Sequence, residues 1–186
     1  MPGAAKPNEG SEPVAPTGME QSGEVFDRAT RLAKTLFGAA AAQITLIDAE
    51  GVWRSGATRD LVEGDATGVR HAIATGELLW IEDARKDDRF SHEPVVIGAP
   101  YLRFFAGAPI KLEGGEIPGV LWVAGVETRP HDARLGAHLC DLAAFVADEW
   151  TRVRANRGRE AAPGERHRPA DGLLDHRVGA DLAGDD

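Results

Sequence analysis

Apolar positions along the chain fall first at helical spacing: Val25, Ala29, Leu32 and Leu36, with Phe26, Ala33 and Phe37 beside them, predict a helix over Val25–Phe37. Ser22 is placed to cap it and Gly38 to stop it. The period then drops to two. Gln43–Asp48 alternates and carries β-branched residues, a turn falls at Ala49-Glu50-Gly51, and a second strand follows from Val52 to about Ala57. A shorter helix fits Thr67–Thr75, closed by Gly76, and the apolar run Leu78-Leu79-Trp80-Ile81 predicts a third strand. From Asp83 to Arg103 no period is sustained, and Pro94, Gly98 and Pro100 interrupt it. A connection of that length in a compact domain is usually functional or built around short helical turns.

Two further strands are expected at Phe104–Leu112 and Ile117–Val126, joined by the turn Glu113-Gly114-Gly115-Glu116. The strongest stripe comes last: Leu135, Leu139, Leu142, Val146, Trp150 and Val153 mark one side of a helix over about Asp132–Ala155. Gly136, Cys140, Ala143 and Ala147 run beside it, small residues that permit close packing on the sheet or across a dimer axis. Helix, hairpin, helix, strand, long loop, hairpin, helix is the order of an α+β domain: an antiparallel sheet with helices on its faces.

Composition then sets the limits of the folded part. Met1–Gly23 carries Pro2, Pro7, Pro13 and Pro16 among polar residues, and Asn156–Asp186 carries Gly158, Pro163, Gly164 and Pro169. Both stretches have too few large apolar residues to offset the entropy of ordering them, so residues 1–23 and 156–186 are read as disordered tails around a domain at 24–155. Within the second tail, Leu173-Leu174, Val178 and Leu182 are spaced like a short amphipathic turn that docks on a partner, or are simply scattered in the tail. The chain of 186 residues has a net charge of −9, with −5 in the domain and −2 in each tail. This acidity argues against nucleic acid and anionic membranes as partners. The single cysteine, Cys140, excludes an intrachain disulfide and multi-cysteine metal clusters. With neither a bilayer-length apolar run nor a basic leader before an apolar stretch, a cytoplasmic protein is expected.

Three stretches carry a family pattern. They are Phe26–Gly38 followed by Leu46-Ile47-Asp48; then Asp83-Ala84-Arg85-Lys86-Asp87-Asp88-Arg89-Phe90 with Arg103-Phe104-Phe105-Ala106-Gly107-Ala108-Pro109-Ile110; then Pro118–Val123 leading to Arg129-Pro130. In that order they resemble a GAF domain of the stand-alone bacterial kind. The resemblance implies a curved antiparallel sheet of five to six strands, GAF/PAS-like. The N- and C-terminal helices would lie on one face, and the short helix and long loop would close a ligand pocket on the other. Bacterial relatives often have Ser-Phe-Cys where this chain has Thr67-Gly68-Val69, before Arg70 and His71-Ala72-Ile73, and a small residue or cysteine where it has Trp122. A Trp122 that points into the pocket fills much of the space a ligand needs.

Candidate chemistry is sparse. One GAF subgroup reduces free methionine sulfoxide with several cysteines, a cycle that a lone thiol cannot complete within the chain. Cys140 is expected to be a small buried residue. Bilin attachment needs a thiol on the pocket side, and the Asn-Lys-Phe-Asp-Glu-like signature of cyclic-nucleotide binders is missing. No metal site is expected: His92-Glu93 lacks a second histidine and is followed by Pro94, and His138 and Cys140 diverge on their helix. Candidate pocket residues are Trp53, Arg70, His71, Tyr101, Arg103, Phe105 and Trp122, each of which also suits plain packing. Arg89 and Arg103 suit an anion clamp, but Asp83, Asp87 and Arg89 suit loop anchors that satisfy one another, which is the reading preferred. The expected function is a non-enzymatic sensory or regulatory domain without a cofactor. It would bind a small molecule or a signalling protein and act in trans, the last helix ending near Asn156, Gly158 and Pro163. The alternative is a ligand-free adaptor that forms a homodimer through its terminal helices.

Overall fold

The computed structural model describes residues 19–49, 51–55 and 66–161. Along the chain run α1 (Met19–Phe37), β1 (Ala41–Asp48), β2 (Gly51–Ser55), α2 (Ala66–Thr75), β3 (Leu79–Ile81), α3 (Pro94–Ile97), β4 (Phe104–Ile110), β5 (Gly119–Gly125) and α4 (Ala133–Ala161). Five strands form one antiparallel sheet in the order β2-β1-β5-β4-β3. The last strand of the chain therefore sits at the centre, between β1 and β4.

Alternation along each strand sends side chains to two separate cores. Ala42, Ile44, Leu46, Phe104, Ala106, Ala108, Ile110, Leu121 and Val123 face α1 and α4, where Phe26, Phe37, Leu139, Val146 and Trp150 meet them. Val120, Trp122, Ala124 and Phe105 face the other way and are covered by Val69 and Ala72 of α2 and by Phe90 and Val96 of the loop. Register decides which side each strand residue takes. The pair Leu46↔Trp53 places Trp53 on the α1 side, its ring 5.3 Å from that of Phe26. Trp53 thus packs, partly buried, against the core of the helical layer and lies on the opposite face from Trp122.

Both terminal helices are longer than the apolar pattern predicts. Ser22 lies inside α1 and is no cap; its buried hydroxyl donates to Glu149 Oε1 of α4 at 2.6 Å. That tertiary contact ties in a turn which propensity alone leaves free. At the other end, α4 continues through Gly158, a glycine that costs about 1 kcal/mol relative to alanine in a helix. Arg157 lies over the Trp150 ring at 5.3 Å and bonds Asp48 Oδ2 at 3.2 Å, contacts that hold this last stretch to the sheet. The helical segments 19–23 and 156–161 therefore belong to the folded part rather than to tails. The remaining tail residues, including Leu173–Leu182, lie outside the described residues.

Asp132 caps α4, its Oδ1 accepting from the Arg134 and Leu135 backbone at 2.9 and 3.0 Å, and those bonds lower its carboxyl pKa. Beyond the cap, Gly136 gives Leu78 room: a Cβ there would stand 2.8 Å from Leu78 Cδ2, so that methyl would have to move. Ala143 and Ala147 are buried in the same helical-layer core. Cys140 is exposed, contrary to expectation. It follows Leu139 by one residue, about 100° around the helix, which takes it off the buried arc.

Candidate functional site

The site lies where α2 and the loop 83–103 close over the sheet. Trp122 at its floor is fully buried, at 0% exposure, and its indole N–H donates to Thr45 Oγ1 on the neighbouring strand at 3.2 Å. Phe105 stacks beside it, centroids 5.9 Å apart at 23°, and Phe90 from the loop meets Phe105 at 5.6 Å. The helix above comes down directly onto these rings. A Cβ at Gly68 would lie 2.5 Å from Phe105 Cζ, so α2 can sit here only because residue 68 has no side chain. Gly107 likewise leaves room for Phe105 and Val120, both 3.1 Å from its would-be Cβ.

Around this apolar floor runs a polar rim whose groups are engaged with one another. Two successive Asp-x-Arg turns have the same geometry. Asp83 takes the Arg85 backbone N–H at 3.2 Å and its guanidinium at 2.9 and 2.8 Å. Asp87 takes the Arg89 backbone N–H at 3.0 Å and its guanidinium at 2.9 and 2.6 Å. The Arg85 fork holds the Asp83 carboxyl down to about 2, and the Arg89 fork lowers that of Asp87. Arg89 has one nitrogen left, and its Nη1 donates to His71 Nε2 on α2 at 2.7 Å. Arginine only donates, so in this bond the ring nitrogen of His71 is the acceptor. A second tie joins the same two elements: the Thr67 hydroxyl donates to Glu93 Oε1 at 2.6 Å.

The remaining candidates do not converge. Arg103 donates through Nη1 to the carbonyls of Val96 and Leu102 at 3.0 and 2.8 Å, which spends it on the loop backbone. Tyr101, 54% exposed, lies under the Arg103 guanidinium at 5.9 Å. Arg70 is exposed and reaches back to Thr67 Oγ1 at 3.3 Å. Of the seven candidate pocket residues, the structure thus brings Phe105 and Trp122 together inside, leaves His71 at the rim, and separates Trp53, Arg70, Tyr101 and Arg103 from any common centre. Residues that matter but carried little signal are Thr45, whose hydroxyl lies on the face of Trp122, and Gly68, whose glycine could have been read as room for a ring. Among the described residues no group of three or more His, Cys, Asp or Glu is placed to hold a metal ion. Nor is any described helix long and apolar enough to cross a membrane.

The sheet order, the two terminal helices on one face and the α2–loop cover on the other match a known architecture, and the profile of the GAF domain family matches residues 22–149. The chain belongs to the GAF family. Among solved structures, the GAF domain of an Acinetobacter phosphoenolpyruvate-protein phosphotransferase superposes with a TM-score of 0.59 at 17% identity, over 72% of this chain and 84% of that one. The GAF domain region of a putative membrane protein from Geobacter sulfurreducens PCA gives 0.58 at 20% identity, over 73% and 96%. Likeness at these identities concerns the fold. A curated relative, the cyclic di-GMP phosphodiesterase PA2567 of Pseudomonas aeruginosa, is 31% identical over 113 residues, which is 59% of this chain. The chain spans only 19% of that protein's length. As a GAF domain, the chain has a sensory or regulatory fold found in signalling proteins.

Proposed function

We propose that this GAF domain is a non-enzymatic regulatory module of the cytoplasm that works by protein contact through its helical layer. It would act in trans on a separate signalling protein, and not by enclosing a small molecule under α2. One observation carries this reading: Trp122, with its N–H bonded to Thr45 and its face against Phe105, stands where a ligand would lie. Displacing it would expose an indole whose burial is worth several kcal/mol, a cost any ligand must first overcome. The polar rim supports the same reading, since Arg89 and Arg103 are engaged before an anion arrives. Homodimerisation through α1 and α4 is the second form this contact can take, favoured by the half-exposed Leu32, Leu36 and Phe145 on those helices.

The test is a thermal-shift panel of nucleotides, cyclic dinucleotides, haem, amino acids and 2-oxo acids, read beside light scattering. No stabilisation across the panel is expected. A concentration-dependent rise in melting temperature that follows mass action overturns the contact-only reading. Turnover of methionine sulfoxide by the wild type, lost in Cys140→Ala, overturns the non-enzymatic part. A monomer at high micromolar concentration removes the homodimer and leaves a separate protein as the partner.

A further inference from the structure

The loop from Asp83 to Arg103 carries three arginines, Arg85, Arg89 and Arg103, and the first two are filled alike. Arg85 and Arg89 each present the Nε–Nη2 edge of the guanidinium to a carboxylate, that of Asp83 and of Asp87. Arg103 is bound differently. Its Nη1 holds the Val96 and Leu102 carbonyls at 3.0 and 2.8 Å, while Nε and Nη2 make no hydrogen bond and no ion pair among the described residues. The edge that takes an aspartate twice in this loop is open at the third arginine, which is partly exposed.

Apolar side chains stand around that edge. Ile97, next to the Val96 carbonyl that Arg103 holds, is 67% exposed. Val126, also exposed, follows Gly125, whose carbonyl accepts from the Arg103 backbone at 2.9 Å. Tyr101 lies against the guanidinium, and its backbone has φ +61°, a left-handed conformation that glycine takes freely and that strains a residue with a side chain. The core does not require the ring, since more than half of it faces solvent. Charge at the patch is set by Arg103. Asp83 and Asp87 are paired with their own arginines, Glu82 and Glu93 accept from the His131 backbone and from Thr67, and Asp88 belongs to the turn whose Arg89 meets His71 of α2. The exposed Lys86 and Glu127, which follow Ala84 and Val126, are of opposite sign and offset each other.

We propose that this patch is a docking site for an acidic, apolar peptide segment of a partner protein. An aspartate or glutamate of the segment fills the Nε–Nη2 edge of Arg103 as Asp83 and Asp87 fill those of Arg85 and Arg89, and its apolar neighbours meet Ile97, Tyr101 and Val126. The Nη1 bonds to the loop stay in place, so the carboxylate arrives from outside the cover and not beneath it. Val96 beside the patch belongs to the core on the far side of the sheet from α1 and α4. The domain can therefore hold one protein on each side and act as a bridge, which goes beyond contact through the helical layer and does not depend on it.

The test pans the full chain against a random dodecapeptide library. Enrichment of sequences with Asp or Glu beside Leu, Ile, Val or Phe is expected, and their binding should move the amide NMR signals of Ile97, Tyr101 and Val126 and weaken with salt. Ile97→Asp and Tyr101→Gly should each lower the affinity of an enriched peptide by about tenfold, as should replacing the peptide's acids with their amides. Tyr101→Gly should melt close to wild type, because glycine relieves the backbone there, so a lost contact is told apart from a lost fold. Failure to enrich acidic apolar sequences overturns the proposal, and so does binding that both substitutions leave unchanged. Free glutamate that moves the same signals at the peptide's concentration overturns it in favour of a small acid. A Tyr101→Gly chain that melts well below wild type overturns it too, because the ring then serves the fold.

Discussion

On the helix side of the sheet, Ile44, Leu121 and Phe104 lie under two long helices of 19 and 29 residues, whereas on the other side Trp122 and Phe105 lie under one ten-residue helix and a loop. The first cover is held by apolar area and by the buried bond from Ser22 to Glu149. The second has too little helix to seal the sheet by area alone. Large rings rise from the sheet to meet it, and polar ties pin its edge: Arg89 to His71, Thr67 to Glu93, and the two Asp-x-Arg turns. Exposed apolar side chains remain on both sides: Leu32, Leu36 and Phe145 outside the helical layer, and Ile97 and Tyr101 on the loop cover. Beneath that cover Trp122, Phe105 and Phe90 turn inward. In this GAF domain the face under α2 and the loop is packed like a core around Trp122 and Phe105, and the helical layer keeps Leu32, Leu36 and Phe145 half exposed on its outside.

The sharpest way to break that contrast is Trp122→Ala, which should cost about 3–5 kcal/mol in urea unfolding because the rigid surroundings cannot collapse onto the void. If the face were an open pocket, the cost would be far smaller. Gly68→Ala comes next, at about 1–3 kcal/mol from overpacking against Phe105. Phe105→Leu in the same chain should recover part of the loss, a coupling that a double-mutant cycle measures. On the helical side, Ser22→Ala removes one buried hydrogen bond to Glu149 and should cost about 1 kcal/mol; an unchanged midpoint would mean that the first turn of α1 adds nothing to the layer.

A smaller effect concerns acid. The carboxyls of Asp83 and Asp87 are held low by Arg85 and Arg89, so their turns stabilise the fold above the ordinary carboxylate range near about 4. That contribution is lost as pH falls toward about 2, where Asp83 titrates. The melting temperature of Asp83→Asn combined with Asp87→Asn should therefore fall less steeply than wild type in that window and differ least at lower pH. Smallest of all is Cys140→Ser, expected within about 0.5 kcal/mol of wild type because the residue is exposed. Its thiol pKa is raised by desolvation, so alkylation of the folded protein should be slow near neutrality and accelerate with pH.

Much of this was legible from residue order. The stripe from Leu135 to Val153 described α4 before any contact was known, because one helical face must be buried and the period records it. Trp122 was singled out because a large ring replaces a small residue in a recognisable strand. Trp53 shows the limit: alternation sorts a strand's residues into two sets but does not say which set faces which layer, and only the pairing with Leu46 settles that. Ser22 shows another, since a hydroxyl three residues before an apolar run suits a cap, and its partner Glu149 stands 127 positions away. The rim followed the same rule. Asp83 with Arg85 and Asp87 with Arg89 are local pairs visible in sequence, whereas the engagement of Arg103 with the Val96 and Leu102 carbonyls depends on where the loop folds back.

What the sequence determined by itself was whatever physics acts over a few residues: helical and strand periods, turns, local Asp–Arg pairs and the family pattern. Tertiary structure alone decided which side of the sheet each ring took, that Gly68 brings α2 down onto Phe105, that Cys140 faces solvent and that Leu32, Leu36 and Phe145 stay half exposed outside the helical layer. Those outcomes depend on the register and approach of distant segments, and packing contacts between them leave no spacing in the chain from which they can be read.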